Sequence, residues 1–109
     1  MANTFKRYTA RAIGTSLTNV NTVVAADTQT TVIGLSVANI TTSPITITAT
    51  HYDGTNDTHL VKDATVVAGG TLIIIGGDQK LVLETGDTAR VSSSATSSVD
   101  CVLSVLEIT

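Results

Sequence analysis

The amino-acid sequence predicts an all-β fold, a small antiparallel β-sandwich of jelly-roll-like type, with an extended N-terminal arm over residues 1–12 and a single domain over 13–109. Three observations predict it. Thr makes up roughly a fifth of the 109 residues and, with Val and Ile, gives an excess of β-branched side chains that are stiff at χ1 and suit a pleated, half-buried sheet. Hydrophobic periodicity is mostly two, not that of a helix. Turn residues interrupt it at the short intervals typical of sandwiches and jelly rolls. A chain of this length supports one hydrophobic core and no second domain.

The elements follow in chain order. Residues 1–12 read as an extended arm anchored by Phe5 and Tyr8, either an edge strand or a segment reaching a neighbour. A short strand over Val20 to Val24 leads to a turn at Asp27-Thr28. Thr31 to Ile40 then alternates Ile33, Leu35 and Val37 on one face, a core strand. After the turn Thr41-Thr42-Ser43-Pro44, Ile45 to Tyr52 sends Ile45, Ile47 and Ala49 inward and Thr46, Thr48 and Thr50 outward. A hairpin loop from Asp53 to Asp57 returns through His59 to Val66, and Gly69-Gly70 marks the next reversal. Leu72 to Ile75 is apolar on both faces, which places it between packed layers or at a subunit interface, and Gly76-Gly77-Asp78 ends it. Leu81 to Leu83, the turn Thr85-Gly86-Asp87, Ala89 to Ser92 and Val99 to Ile108 complete eight or nine strands. In the last of these Val99, Cys101, Leu103 and Val105 share one face, while Val102 and Leu106 are apolar on the other.

Charge and cysteine content exclude several function classes. Charged residues are 14% of the chain against about 25% in an ordinary soluble domain. Net charge is −3, which argues against a nucleic-acid partner, because that binding depends on clustered cations neutralising phosphates. The charge is uneven: Lys6, Arg7 and Arg11 give the first stretch +3, and the other three basic residues set against all nine acids leave −6. A single cysteine cannot form an intrachain disulfide. No stretch approaches a membrane span and the N-terminus has no apolar signal core, so a soluble, untargeted product without a membrane partner is expected.

Candidate chemistry is thin. His51-Tyr52-Asp53-Gly54-Thr55-Asn56-Asp57-Thr58-His59 has acids and histidines in metal-like spacing, but its glycine stands second and its twelfth residue is Ala64, where an EF-hand needs Gly sixth and Glu twelfth. The bland reading is a solvated hairpin tip. Cys101, flanked on its face by Val99 and Leu103, reads as a small buried hydrophobe and not a nucleophile. The glycine pairs lack a phosphate-cradle context, and the serines at 92–94 and 97–98 lack an elbow motif or a nearby His. Asn39-Ile40-Thr41 and Asn56-Asp57-Thr58 match the glycosylation sequon by chance in a chain rich in Asn and Thr. The expectation is no enzyme, no metal and no cofactor.

The run Leu60-Val61-Lys62-Asp63-Ala64, Ala68-Gly69-Gly70-Thr71-Leu72, Gly76-Gly77-Asp78-Gln79-Lys80-Leu81-Val82-Leu83-Glu84, Gly86-Asp87, Val91-Ser92-Ser93-Ser94-Ala95 and Ser98-Val99-Asp100-Cys101-Val102-Leu103-Ser104-Val105-Leu106-Glu107, with Ala2-Asn3-Thr4-Phe5-Lys6 and Ile33-Gly34-Leu35, resembles small virion structural proteins of tailed bacteriophages of aquatic bacteria and cyanobacteria. The resemblance spans nearly the whole chain and rests on strand and turn patterns. It implies a structural virion protein, with capsid decoration (cement) favoured over a neck, tail, baseplate or fibre-associated subunit. The implied partners are the major capsid protein and the chain itself as a homotrimer, and the implied place is the capsid surface after assembly in the host cytoplasm. On that expectation Phe5, Lys6, Arg7, Tyr8 and Arg11 dock the arm, and Leu72, Ile73, Ile74, Ile75, Val102 and Leu106 supply the subunit interface. A carbohydrate-binding sandwich is the alternative from another class. It is weakened by having only Phe5, Tyr8 and Tyr52 for sugar stacking.

Overall fold

A computed structural model describes residues 3–76 and 80–109, and these contain β-strands and no helix. The turn residues Gly77 and Asp78 lie outside them. Nine strands form: β1 (Asn3–Ile13), β2 (Thr18–Asn19), β3 (Gln29–Asn39), β4 (Ile45–Tyr52), β5 (Asp57–Val66), β6 (Thr71–Ile75), β7 (Leu81–Leu83), β8 (Thr88–Ser93) and β9 (Val99–Ile108). The first sheet runs β1-β9-β3-β6, with β7 lying beyond β6 along the same edge of β3, and the second runs β2-β8-β4-β5. Every pairing is antiparallel. The chain crosses between the sheets at nearly every connection, and this interleaved double-sheet order is that of a jelly roll. The all-β antiparallel prediction therefore holds.

Packing explains why the sheets stack. Inward side chains Val32, Leu35, Val37, Val99, Cys101, Leu103 and Val105 of the first sheet meet Ile45, Ile47, Ala49, Ala89 and Val91 of the second in one buried cluster. Each such aliphatic side chain contributes roughly 1.5–3 kcal/mol on full burial. The core is made of small and β-branched residues, so tight stacking of two pleated faces replaces bulky aromatics.

Two local readings are corrected. The expected strand over Val20 to Val24 is an irregular segment beside β8. The buried Asn21 amide accepts the Ala89 backbone N–H (2.7 Å) and donates to the Thr22 carbonyl (2.7 Å), which takes the place of a regular ladder. Ile33 does not join Leu35 and Val37 inside: a bulge between Val32 and Gly34 turns Val32 inward and Ile33 outward. Of the two readings of the first stretch, the structure describes the edge strand. Residues 3–12 lie within β1, which pairs with β9 from Asn3–Ile108 to Ile13–Val99.

The reversal after β5 depends on glycine. Gly69 has φ +70°, and a Cβ on Gly70 would lie 2.7 Å from a Val67 methyl. The long outer strands β1 and β5 each contain a non-glycine residue with positive φ at a register shift, Ala12 (φ 52°) and Asp63 (φ 52°). Such bulges twist a free edge away from regular pairing with another chain.

Candidate functional site

Register decides which side chains share a face, because residues directly opposite in an antiparallel pair point the same way. On the side of the first sheet facing away from the core, one row runs Phe5, Leu106, Thr31, Val82 across β1, β9, β3 and β7. A second runs Thr9, Val102, Ser36, Ile73 across β1, β9, β3 and β6. Between them lie Arg7, Ser104 and Gly34, with Ile33 at the bulge. Phe5 is 76% exposed, Ile73 61%, Val82 57% and Val102 46%. Several large apolar groups thus stand on one face with no covering layer.

The second sheet's outer face is different. It carries Thr46, Thr48, Ser92 and Thr65 opposite one another, and then a polar cluster. The Arg90 guanidinium lies 3.5 Å from the Tyr52 ring centroid and 3.6 Å from Asp57 Oδ2. Its Nε donates to Asn19 Oδ1 (2.8 Å), and Thr50 Oγ1 donates to Asp57 Oδ1 (2.8 Å). One face is sealed by internal polar contacts; the other presents hydrocarbon to water.

The expected interface residues divide accordingly. Ile73, Val102 and Leu106 come together on the outer face of the first sheet. Leu72 and Ile74 are half-buried against the core and Ile75 is fully buried, so these three serve the fold and leave Ile73 as the one outward side chain of the apolar run. The expected docking residues divide too. Phe5 and Arg7 belong to the outer face, and Arg11 is exposed near the bulge. Lys6 and Tyr8 turn to the other side of β1, where Tyr8 Oη donates to Glu107 Oε2 (2.6 Å) and Lys6 Nζ lies 3.2 Å from Glu107 Oε1. Burial, with Glu107 adjacent, pushes the Tyr8 hydroxyl up to about 12. Glu107 is held below the usual carboxylate range by the Tyr8 hydroxyl and by Lys6. Sequence reasoning missed Val82, Ile33 and Gly34. The alternation Leu81-Val82-Leu83, with two flanking residues turned inward, was the available signal for Val82.

The polar candidates are accounted for locally. Asp53 Oδ1 accepts the backbone N–H of Thr55 (2.9 Å) and Asn56 (2.7 Å), which lowers its pKa and makes the loop a self-capped turn. His51 Nε2 lies 3.1 Å from Asp87 Oδ2, while His59 is opposite Thr50 on the other face of the sheet, so the two rings point apart. Among the described residues, no three His, Cys, Asp or Glu side chains are grouped to hold a metal. Cys101 is 1% exposed, and burial, with Asp100 adding, pushes its thiol up to about 12. Of the three aromatic rings, Tyr52 is covered by Arg90 and Tyr8 is tied to Glu107, leaving Phe5 free.

A match to a solved structure adds to this geometry. The chain shares its fold with a pilus subunit. The similar protein comes from Bacillus endospore appendages, described as a novel family of disulfide-linked pili, and the match has a TM-score of 0.51 at 16% identity over 99% of this chain and 87% of that one. No protein-family model matches the chain, and no curated protein does. The neighbour is a subunit of a bacterial surface structure and offers no evidence for decoration of a phage capsid. The expectation of a capsid decoration protein is corrected on that finding, and with it the major capsid protein loses its support as a partner. A likeness at this identity speaks for fold, and a jelly roll hosts many unrelated functions.

Proposed function

We propose that this chain is a non-enzymatic structural subunit that assembles with further copies of itself through the outer face of its first sheet. The observation that carries this reading is the contrast between the two outer faces. Phe5, Ile33, Val82, Ile73, Val102 and Leu106 lie together on one, and threonines, serine and the Arg90 cluster cover the other. A cluster of exposed apolar side chains on one face, here interspersed with Arg7, Ser104, Thr31 and Ser36, is the kind of surface that marks an interaction site. The pilus-subunit fold supports self-association as the kind of interaction.

The neighbour's pili are disulfide-linked, but this chain has one cysteine and it is buried with a protonated thiol. Assembly here is therefore non-covalent. Light scattering on the purified full chain, from micromolar to millimolar concentration with and without dithiothreitol, tests the reading. Mass is expected to rise with concentration identically in both conditions. A monomer at every concentration overturns it.

A further inference from the structure

We propose that the contact between copies is a reciprocal knob and socket, in which Phe5 of one copy fills the depression above Gly34 on a second copy and receives that copy's Phe5 in return. This deepens the self-assembly reading and rests on it. The socket is a shallow hollow of about 200 Å³ on the outer face of the first sheet, lined by Gly34, Ser36, Ile73, Ile75, Val102 and Ser104 among others. It exists because Gly34 has no side chain where its neighbours on both rows project, and because Ser36 and Ser104 are short. The knob is the chain's one phenylalanine, 76% exposed on the outer face opposite Leu106.

Knob and socket lie on the same face, which selects the symmetry. Two copies laid face to face about a two-fold axis lying in the plane between them and bisecting the line from Phe5 to the hollow satisfy both contacts at once. That is an isologous pair. The axis falls near Ser104, whose small side chain permits close approach of the sheets. Three strands of ten or eleven residues, about 33 Å long, with the short β6 and β7 in the fourth place and strands about 4.8 Å apart, give a face of roughly 600 Å², the size of the smaller specific interfaces. The bulges of β1 and β5 disfavour regular edge pairing along those strands, so the face is the better surface for association.

The full chain carrying both Phe5→Cys and Ser36→Cys tests the arrangement after mild oxidation, read on a non-reducing gel. Positions 5 and 36 stand on strands either side of β9 and offset along it, roughly 15 Å apart, so a bond within one copy is excluded by the Cα separation a disulfide requires. A closed covalent dimer is expected. A ladder of larger species, a covalent trimer, or no cross-link in a protein whose wild type self-associates overturns the knob-and-socket contact while leaving self-assembly standing; a monomeric wild type removes both. Phe5→Ala is expected to weaken the pair at least tenfold, and Gly34→Ala several-fold. The first residue is exposed, and a Cβ on the second meets only Ile75 O at 3.6 Å, so both variants keep the wild-type unfolding temperature. Unchanged association of Phe5→Ala contradicts the proposal.

Discussion

Tyr8 and Glu107 join the two ends of the chain: a phenol on β1 donates to a carboxylate on β9 across 99 positions of sequence. Tyr8→Phe removes that bond and is expected to cost about 1–2 kcal/mol in denaturant unfolding. The pH dependence follows from the shifts. Glu107 has a folded pKa below its unfolded value, so its stabilisation is complete above about pH 4.3 and is lost as pH falls through the folded value. Tyr8 and Cys101 have raised pKa values, both near 12, so their stabilisation is complete below their unfolded values and is lost as pH rises toward 12. Thermal unfolding of Tyr8→Phe against pH is expected to show a flatter acid limb than wild type. Asn39 is a second residue of consequence. Its buried amide donates to the carbonyls of Ser43 (2.9 Å), Val66 (3.1 Å) and Val67 (3.2 Å), and accepts from the Thr41 N–H (2.9 Å) and hydroxyl (2.7 Å). The sequon that begins at Asn39 thus reads as a structural clamp between two turns. Asn39→Ala removes a buried amide that ties the two turns together, though Ser43 and Val67 keep donors in the Thr41 hydroxyl and the Gly70 N–H, and is expected to cost about 2–3 kcal/mol, measured the same way.

Strands make the larger difference between the two faces. Ile73→Asp with Val102→Asp places two carboxylates on the strands either side of β3, on the apolar face. The double variant is expected to scatter light as a monomer at concentrations where wild type associates, with its unfolding temperature within a few degrees of wild type because both side chains are already exposed. Deleting residues 2–12 has a different outcome. It strips β1 from β9 and uncovers Cys101 and Leu103, so the unfolding temperature is expected to fall by ~10 °C or more. Strand existence was legible from the sequence where alternation was clean, as in Ile45 to Ala49 and Val99 to Val105, since one buried face imposes a period of two. It failed at Ile33 because a bulge adds one residue and reverses the parity of everything before it. It failed at Val20 to Val24 because hydrogen bonds to a buried asparagine side chain replaced a ladder, which periodicity cannot reveal. The apolar face itself was half legible. Val102, Leu106 and Ile73 stood out as surplus apolar residues, but which of the four residues Leu72 to Ile75 faces outward is set by pairing with β3. The hollow at Gly34 arises from three strands side by side and has no signature in any one of them.

At the scale of the whole molecule, a jelly roll without a disulfide packs its small aliphatic core between the sheets and exposes further apolar side chains on one outer sheet face and in loops, at Leu17, Val23, Ile40 and Val67. The core holds the monomer together. On the proposed reading, self-association accounts for the apolar sheet face. With its thiol buried, the proposed assembly is expected to respond to concentration and not to redox state. Hydroxyl-radical footprinting of concentrated against dilute protein tests this most directly, because it reads both outer surfaces in one experiment. The account predicts protection of Phe5, Ile73, Val82 and Val102 on concentration, with Tyr52 and Lys62 equally reactive throughout. Protection centred on Tyr52 and Lys62, or no protection in protein that has demonstrably associated, would contradict it.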